Sequence, residues 1–424
     1  MKKFLIITQV FRPDPAAVGQ YFDEAAQAIA GTGAQVTMLT ANRGYDNPKE
    51  KFLAGEARDG IQIQRLPLSS FGKASITIRI FAQLSFLVQC VLRGLFARKL
   101  TDLLVSTSPP MAAITAVIIG FFRPKLKVHY WVMDINPDQA IVLGTFSHKH
   151  PLVKALDWLN RRILKRADSI IVLDRFMQAR LESKLKRPAE DLRSPIQVIP
   201  LWPMDDYLET VAHSENSFRK KHGWEDKFVV MHSGNHSLVH PLDTILDAAD
   251  ALKGDPRFVF VFIGGGRGKE IVDARLREQS SAASNIISLP YQPLDQIRFS
   301  LSAADLHIVS LGNEMSGIVH PCKIYGILSI GRPVLSLGPK ESYLNNIIEK
   351  KGIGLKTEPT GAEITRIGWS VMHGNIKDAT AALKAAISQT HKEREAICLR
   401  AQEKALDEFG RNNLILKFLD TIVR

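Results

Sequence analysis

The feature that most restricts the fold is an alternation of strand-like and helix-like runs that starts, lapses and starts again. Seven strand-like runs in the first half occupy residues 4–10, 34–40, 61–66, 102–107, 127–133, 169–174 and 196–200. Six more occupy residues 227–235, 258–266, 285–289, 305–311, 332–338 and 352–356. Alternation of this kind is typical of parallel sheets covered by helices on both faces. The sequence therefore predicts an α/β fold with two Rossmann-like domains.

The alternation lapses around residues 201–224, which are polar and irregular. A chain of 424 residues with 45% hydrophobic residues is also too long for one ordinary domain. We predict an N-terminal domain over residues 1–205, a C-terminal domain over residues 206–405, and a helix over residues 406–424 that packs back on the first domain. Because ligands bind at the carboxyl ends of parallel strands, we expect a site in a cleft between the two facing domains.

The net charge of +12 is unevenly placed, with +9 of it in residues 1–210. A basic half attracts nucleic acid, an anionic membrane or an anionic substrate. The basic residues lack interleaved aromatic residues, so nucleic acid is not an expected partner.

Three cysteines, Cys90, Cys322 and Cys398, form no C-x-x-C pair, which fits a reducing cytoplasm and gives no cysteine metal site. The start, MKKFLIITQVFRP, has an apolar run that is short for a signal sequence and is better interpreted as a first strand. We expect a cytoplasmic protein.

Two apolar stretches, residues 74–99 and 111–122, resemble membrane segments. Neither has the run of about 20 apolar residues that a membrane-spanning helix needs. In the first, a helical wheel places Arg79, Gln83, Gln89 and Arg93 on one side. We predict that this helix lies in the interface of an anionic membrane, on the inner face of the cytoplasmic membrane. Two buried helices flanking a sheet are the alternative, and for the second stretch both interpretations stay open.

Glycine turns follow two strands of the second half, at HSGN (232–235) and GGGRGK (264–269). Glycine permits close backbone approach, and Arg267 and Lys269 add positive charge suited to a diphosphate. The second turn fails the G-x-G-x-x-G pattern at Lys269, and a P-loop would need glycine at Ile263. A dehydrogenase and a P-loop NTPase are therefore not expected.

The stretch SGIVHPCKIYG, from Ser316, places Lys323 at the start of an apolar helix. A cation opposes the helix dipole there, and the same end of a helix attracts anions. Lys323 therefore indicates a phosphate-type ligand, unless its chain only extends to solvent.

Several motifs together resemble a GT-B glycosyltransferase of family 4. They are the first turn PDPAAVGQ, SGN, IGGG, and P-x-K-x-Y-G followed by GRPVL, and they cover nearly the whole chain. TSPP (107–110) and MDINPD (133–138) resemble the branch of bacterial exopolysaccharide and O-antigen enzymes that contains the colanic-acid and fucosamine transferases.

The resemblance implies transfer from a nucleotide-diphosphate sugar to a saccharide acceptor, polyprenyl-linked in this branch, with retention of configuration. The donor residues it implies are Gly19, Gly234, Asn235, Gly264, Gly265, Gly266, Arg267, Ser316, Gly317, His320 and Lys323. For His320, a hydrogen bond at the helix start is the favoured alternative. No metal or other cofactor is expected, because the chain contains no Asp-x-Asp.

The glutamate pair of the family falls here on Ile318 and Gly326, so Glu314 is the nearby replacement that we expect to contact the sugar. Asp134 and Asp138 follow a strand and could orient or deprotonate the acceptor, although Asp134 could instead cap a helix. Two other functions stay open: a sugar-nucleotide epimerase of the same fold, and a non-catalytic membrane subunit that binds a nucleotide sugar.

Overall fold

The computed structural model describes residues 1–14, 16–44, 49–70, 76–204, 209–278, 284–349 and 367–423. The chain forms two compact units, one of Met1–Pro200 with Leu414–Arg424 and the other of Leu201–Asn413. The boundary predicted after residue 205 therefore falls earlier, because the chain leaves the first sheet once its last strand ends at Val198. The returning segment starts at Leu414 rather than at residue 406.

The first unit is built on an eight-stranded sheet. Its strands are β1 (Lys3–Ile7), β2 (Gln35–Ala41), β3 (Gly55–Arg58), β4 (Ile61–Leu66), β5 (Asp102–Val105), β6 (Lys127–Trp131), β7 (Ser169–Val172) and β8 (Ile196–Val198). Their spatial order is β3, β4, β2, β1, β5, β6, β7, β8. The described pairs are parallel except β3 with β4. The alternation of the sequence did not predict β3, because its sequence GEAR has no apolar run.

Helices cover both faces of this sheet, as a parallel sheet requires. They are α1 (Ala17–Gly31), α2 (Ile76–Phe96), α3 (Ala113–Phe122), α4 (Asp138–Val142), α5 (Pro151–Arg166), α6 (Arg175–Glu182) and α7 (Pro188–Asp191). Strands β5 and β7 are buried at every position, which explains why each is apolar after its first residue.

The two membrane-like stretches form α2 and α3. One face of α2 is buried at Phe86, Leu87 and Cys90, and its opposite face exposes apolar side chains. Gln89, from the predicted polar stripe, donates to the carbonyl of Pro67, so this part of the stripe lies beside the packed face. α3 is buried along much of its length. In the part of the chain that the structure describes, no helix has the length and apolar character needed to cross a bilayer.

The second unit is built on a six-stranded sheet whose described pairs are all parallel. Its strands are β9 (Phe228–Ser233), β10 (Phe258–Ile263), β11 (Ile286–Leu289), β12 (Leu306–Ser310), β13 (Val334–Leu337) and β14 (Gly368–Val371), in the spatial order β11, β10, β9, β12, β13, β14. The predicted strand at residues 352–356 lies outside the described residues, and β14 was not predicted.

Helices precede, connect or follow the strands of the second sheet. They are α8 (Ser217–His222), α9 (Asp243–Ala251), α10 (Lys269–Glu278), α11 (Ile297–Ser302), α12 (Lys323–Ser329), α13 (Tyr343–Glu349), α14 (Ile376–Ile387) and α15 (His391–Phe409), with a 3-10 turn at Leu294–Gln296. Alternate residues of β9 enter two different apolar clusters, Phe228 and Val230 in one and Val229 and Met231 in the other. Both faces of this sheet are therefore covered.

The final helix, α16 (Arg411–Val423), returns the chain to the first unit. Its buried residues Leu414, Phe418 and Ile422 recur every four positions and so form one face. The ring of Phe418 lies 4.6 Å from that of Trp131, which in turn lies 4.9 Å from Phe22. A segment from the far end of the sequence thus completes the core of the first unit.

Candidate functional site

The donor residues predicted in the second unit gather at one edge of its sheet. Strands β10, β9 and β12 are neighbours. The turns after their carboxyl ends hold residues 264–266, 234–235 and 311–323. The carboxyl edge of a parallel sheet is where such folds bind ligands.

Lys323, the first residue of α12, connects these turns. Its Nζ lies 2.7 Å from Nε2 of His232 and donates to the carbonyl oxygen of Asn235 at 2.9 Å. Nδ1 of His232 lies 3.2 Å from the carbonyl oxygen of Ile308. A ring nitrogen facing a carbonyl carries the proton, so Nε2 of His232 accepts from Lys323. An ammonium has three N–H groups, which leaves one for a ligand.

The electrostatics around Lys323 favour an anion. Burial lowers the pKa of Lys323 to about 7. Burial first, and then the charge of Lys323, lower the pKa values of His236 and His240 to about 3 and that of His232 well below 6.5. The three imidazoles are therefore neutral at pH 7. Among the residues that the structure describes, Lys323 forms no ion pair with a carboxylate, and its contacts are with neutral groups.

Glycine is required where the first two turns meet. Gly264 has φ +131°, and a Cβ there would lie 2.1 Å from the carbonyl oxygen of Gly234. A Cβ on Gly234 would lie 3.0 Å from Cε of Lys323. The turns are also joined through His236, whose N–H donates to Gly265 and whose carbonyl accepts from the N–H of Gly268, both at 2.7 Å. These glycines therefore serve the packing of the turns and the close approach of Lys323.

The two cations of the second turn differ in placement. Arg267 is exposed. Lys269 turns inward and donates to the carbonyl oxygens of Phe262 and Leu289 at 2.5 and 2.9 Å. Burial lowers its pKa to about 8. The ammonium of Lys269 therefore lies at the ends of β10 and β11, and its role toward a diphosphate stays a prediction.

The segment between β12 and α12 contains the remaining donor predictions. Ser316 donates to the carbonyl of Glu341 at 3.0 Å, and Gly317 is buried next to it. His320 is buried, and its Nε2 lies 2.7 Å from the hydroxyl of Tyr325. Because its ring packs against the protein, the structure agrees with the hydrogen-bonding alternative for His320. Glu314 is exposed.

The two aspartates predicted in the first unit have different surroundings. Asp134 is partly exposed just beyond β6, and its N–H donates to Oγ1 of Thr107 at 3.2 Å. The helix that follows, α4, has Pro137 at its N-cap position, without a capping hydrogen bond from that side chain. Asp138 is buried between Arg180 and Lys184, at 2.7 and 2.5 Å. The predicted catalytic role of Asp138 is therefore corrected to a structural one, since both its oxygens are held by cations.

Gly19 lies in α1, where a Cβ would lie 2.9 Å from Cα of Phe11. The missing side chain lets α1 pack against the loop after β1. This contact explains Gly19 without a ligand, although the position is at the carboxyl edge of the first sheet. Among the described residues, no group of three or more His, Cys, Asp and Glu side chains could hold a metal ion.

Sequence reasoning missed the three histidines around Lys323 and also Tyr291. The signal for the histidines was their four-residue spacing in HSGNHSLVH, which starts at the end of a strand. Tyr291 is half exposed, and its ring lies 3.0 Å from the position of a Cβ on Gly265. An exposed aromatic ring over a glycine turn is a suitable surface for stacking a planar ligand group.

Comparison with known proteins agrees with this architecture. Residues 16–202 match the family described as a glycosyl transferase 4-like domain. WbjE of Pseudomonas aeruginosa, which is named as a glycosyltransferase, is 25% identical over 284 residues, 66% of this chain and 67% of its own. WcaI of Escherichia coli, which is named as a colanic acid biosynthesis glycosyl transferase, is 22% identical over 374 residues, 85% of this chain and 89% of its own.

Solved structures share the fold over the whole chain. Sucrose-phosphate synthase from Thermosynechococcus elongatus superposes with a TM-score of 0.71 at 13% identity, covering 99% of this chain and 98% of its own. Anabaena HepE, solved in complex with UDP and glucose, superposes with a TM-score of 0.70 at 16% identity and covers both chains fully. The two parallel-sheet units are those of the GT-B fold, which confirms the predicted fold class.

These findings define the class of protein as a GT-B enzyme. Residues 16–202 match the glycosyl transferase 4-like domain, and the chain is a glycosyltransferase that resembles family 4 enzymes of the exopolysaccharide type.

Proposed function

We propose that this enzyme moves a sugar from a nucleotide-diphosphate sugar to a lipid-linked saccharide, of the polyprenyl type, in cell-surface polysaccharide synthesis. The observation that carries the donor class is Lys323, a half-buried cation among neutral imidazoles with one N–H left for an anion. The HepE structures with UDP and with UDP-glucose support a uridine donor, and the name of WcaI supports the polysaccharide pathway.

In this reaction the bond between the anomeric carbon and the diphosphate oxygen breaks, and the acceptor oxygen forms the new bond and loses its proton. Lys323 and Arg267 would stabilise the negative charge of the departing diphosphate, which is the main demand on the protein. Tyr291 would stack on the nucleobase. Asp134 would orient the acceptor hydroxyl or take its proton, Glu314 would contact the transferred sugar, and configuration would be retained.

The test is a thermal-shift screen of UDP-, GDP- and dTDP-sugars, followed by product analysis with the donor that binds. A ligand bound by the folded state raises the melting temperature, by an amount that depends on its concentration relative to Kd. We expect a shift with a uridine donor in the wild type and a much smaller shift in Lys323→Ala. If the only product is the nucleotide sugar with one stereocentre of its sugar inverted, the protein is an epimerase instead. Binding of the donor without any turnover would establish a binding subunit.

We also propose that transfer needs no metal ion, because cationic side chains are available for the diphosphate and the chain has no Asp-x-Asp. Transfer should persist in EDTA at the rate measured without it. Loss of transfer in EDTA, restored by Mg²⁺, would contradict this proposal.

A lipid-linked acceptor would bring the enzyme to the inner face of the cytoplasmic membrane as a peripheral protein. The basic, apolar region around α2 and α3 in the first unit supports this localisation.

A further inference from the structure

His240 lies in the turn after β9, and its surroundings hold its ring in one orientation. Just before it, the carbonyl oxygen of Val239 accepts from the N–H of Gly312 at 2.9 Å. Just after it, the carbonyl oxygen of Pro241 accepts from the hydroxyl of Ser310 at 2.5 Å. The ring places Nδ1 2.6 Å from the carbonyl oxygen of Ser310. The turn is therefore fastened to the end of β12 at three consecutive residues.

The contact with Ser310 decides which nitrogen of the His240 ring carries the proton. A ring nitrogen that faces a carbonyl oxygen is protonated, so Nδ1 donates and Nε2 keeps a lone pair. Burial and then the charge of Lys323 lower the pKa of His240 to about 3, so the ring is neutral at pH 7. His240 therefore presents a hydrogen-bond acceptor, whereas Lys323 presents a donor.

Nε2 of His240 is available to a ligand. The two nitrogens of an imidazole point to opposite sides of the ring, so Nε2 points away from the strand end that Nδ1 faces. The side chain is partly exposed, and no hydrogen bond to Nε2 is formed among the described residues. Nε2 of His236 also lacks a hydrogen-bond partner, but that ring is fully buried. Of these two imidazoles, it is His240 that can meet a group from outside the chain.

The order of the strands places His240 and Tyr291 on opposite sides of Lys323. The edge of the sheet runs β11, β10, β9, β12, with Tyr291 after β11 and Ser310 at the end of β12. Lys323 donates to the carbonyl oxygen of Asn235 in the turn after β9, between them. On the proposed function, the nucleobase lies at Tyr291 and the diphosphate at Lys323. The transferred sugar then extends toward the end of β12, where His240 is held.

The chemistry of Nε2 selects among the groups of such a donor. An ionised diphosphate has no proton to give, so it cannot bond to a lone pair, whereas a sugar hydroxyl can. We propose that His240 is a specificity-determining residue whose Nε2 accepts a hydrogen bond from one hydroxyl of the transferred sugar. A donor that lacks this hydroxyl binds less well, because the nitrogen loses its partner.

Two substitutions separate recognition of the sugar from the fixing of the turn. The amide nitrogen of asparagine takes the place of Nδ1, so His240→Asn keeps the bond to Ser310 and removes the acceptor. The amide oxygen of glutamine takes the place of Nε2, so His240→Gln keeps an acceptor and loses the bond to Ser310. The matched control is His391→Asn, since His391 is 95% exposed at the start of α15.

The measurement is calorimetry of UDP, UDP-glucose, UDP-galactose and UDP-N-acetylglucosamine binding to the full chain. The UDP-sugar that binds best is then compared with its deoxyfluoro analogues, in which fluorine replaces one hydroxyl at a time and cannot donate. The wild type and His240→Gln should bind one analogue about three- to tenfold more weakly than the parent sugar nucleotide. His240→Asn should bind that analogue and the parent equally. UDP should bind to all variants as to the wild type, and His391→Asn should match the wild type throughout.

Three results would overturn the proposal while UDP still binds. They are a wild type that disfavours none of the analogues, a His240→Asn variant that disfavours the same analogue to the same extent, and weaker binding of UDP itself by His240→Asn. The last would place His240 at the diphosphate instead. Absence of binding by UDP and by every UDP-sugar would overturn the proposed uridine donor together with this proposal, so the two failures are distinguishable.

Discussion

At the scale of single residues, the ionisation of Lys323 has a measurable consequence. Burial places its pKa near 7, so a fraction of the free enzyme lacks the charge at neutral pH. Both phosphates of a nucleotide-diphosphate sugar stay ionised there, and their charge favours the protonated lysine. Binding should therefore take up protons at pH 7.5, and affinity should fall by up to about tenfold per pH unit above 7.

Calorimetry in two buffers of different ionisation enthalpy measures this proton uptake. His232, His236 and His240 stay neutral in this range, whereas Lys269 has a pKa of about 8 and also titrates. Lys323→Arg separates the two lysines, because arginine keeps its charge throughout. Uptake that survives in Lys323→Arg would assign it to Lys269 and refute the prediction.

Removal of Lys323 should weaken catalysis. A charge-assisted contact to the donor contributes about 1.5–3 kcal/mol, so Lys323→Ala should lower kcat/KM by roughly one to two orders of magnitude. The matched control is Lys377→Ala, an exposed lysine at the start of α14, which should leave kcat/KM unchanged. Equal kcat/KM in Lys323→Ala and the control would show that this lysine does not contact the donor.

The sequence could predict the surroundings of a site residue only where they are set by neighbouring residues in the chain. A lysine at a helix start is a local anomaly, and this anomaly led to the prediction that Lys323 contacts an anion. The partners of Asp138 lie 42 and 46 positions further along, at Arg180 and Lys184, so no local pattern could show that its charge was already paired. The inward direction of Lys269 depends on where β11 ends, which only the folded sheet defines.

At the scale of elements, the crossing of the two glycine turns should be sensitive to a single methyl group. Gly264→Ala combines φ +131° with a Cβ at 2.1 Å from a backbone oxygen, so it should destabilise the second unit by about 2 kcal/mol or more. Gly254→Ala is the matched control, because a Cβ there meets no atom within 4 Å. Chemical denaturation measures both, and an unchanged midpoint for Gly264→Ala would contradict the described geometry of the turns.

Sequence periodicity predicted the buried strands well, because strands covered on both faces have continuous apolar runs. It missed β3, an edge strand whose burial is intermittent, and β14, whose short run GWSV is not clearly apolar. For α2, periodicity identified two faces but not which one packs, since both faces carry apolar residues. Only contacts such as that of Gln89 with Pro67 distinguish them.

At the scale of the whole molecule, the first unit depends on a helix from the far end of the chain. Phe418 is fully buried against Trp131, and Phe418→Ala should cost the first unit about 3–5 kcal/mol. Leu416→Ala in the same helix is the control; Leu416 is 60% exposed and should change stability by about 0.5 kcal/mol or less. Thermal unfolding monitored by tryptophan fluorescence compares them, and equal midpoints would mean that α16 does not stabilise the first unit.

The return of α16 also sets an order of events during synthesis. Residues 1–200 leave the ribosome early, yet the helix that covers Trp131 follows only after residues 201–413 have been translated. During that interval the nascent first unit presents an uncovered aromatic groove, which is the kind of surface that chaperones bind. A chain terminated anywhere before Leu414 keeps the groove open and becomes a target for proteolysis. The position of one helix thus makes stable accumulation of the first unit conditional on complete translation of the second.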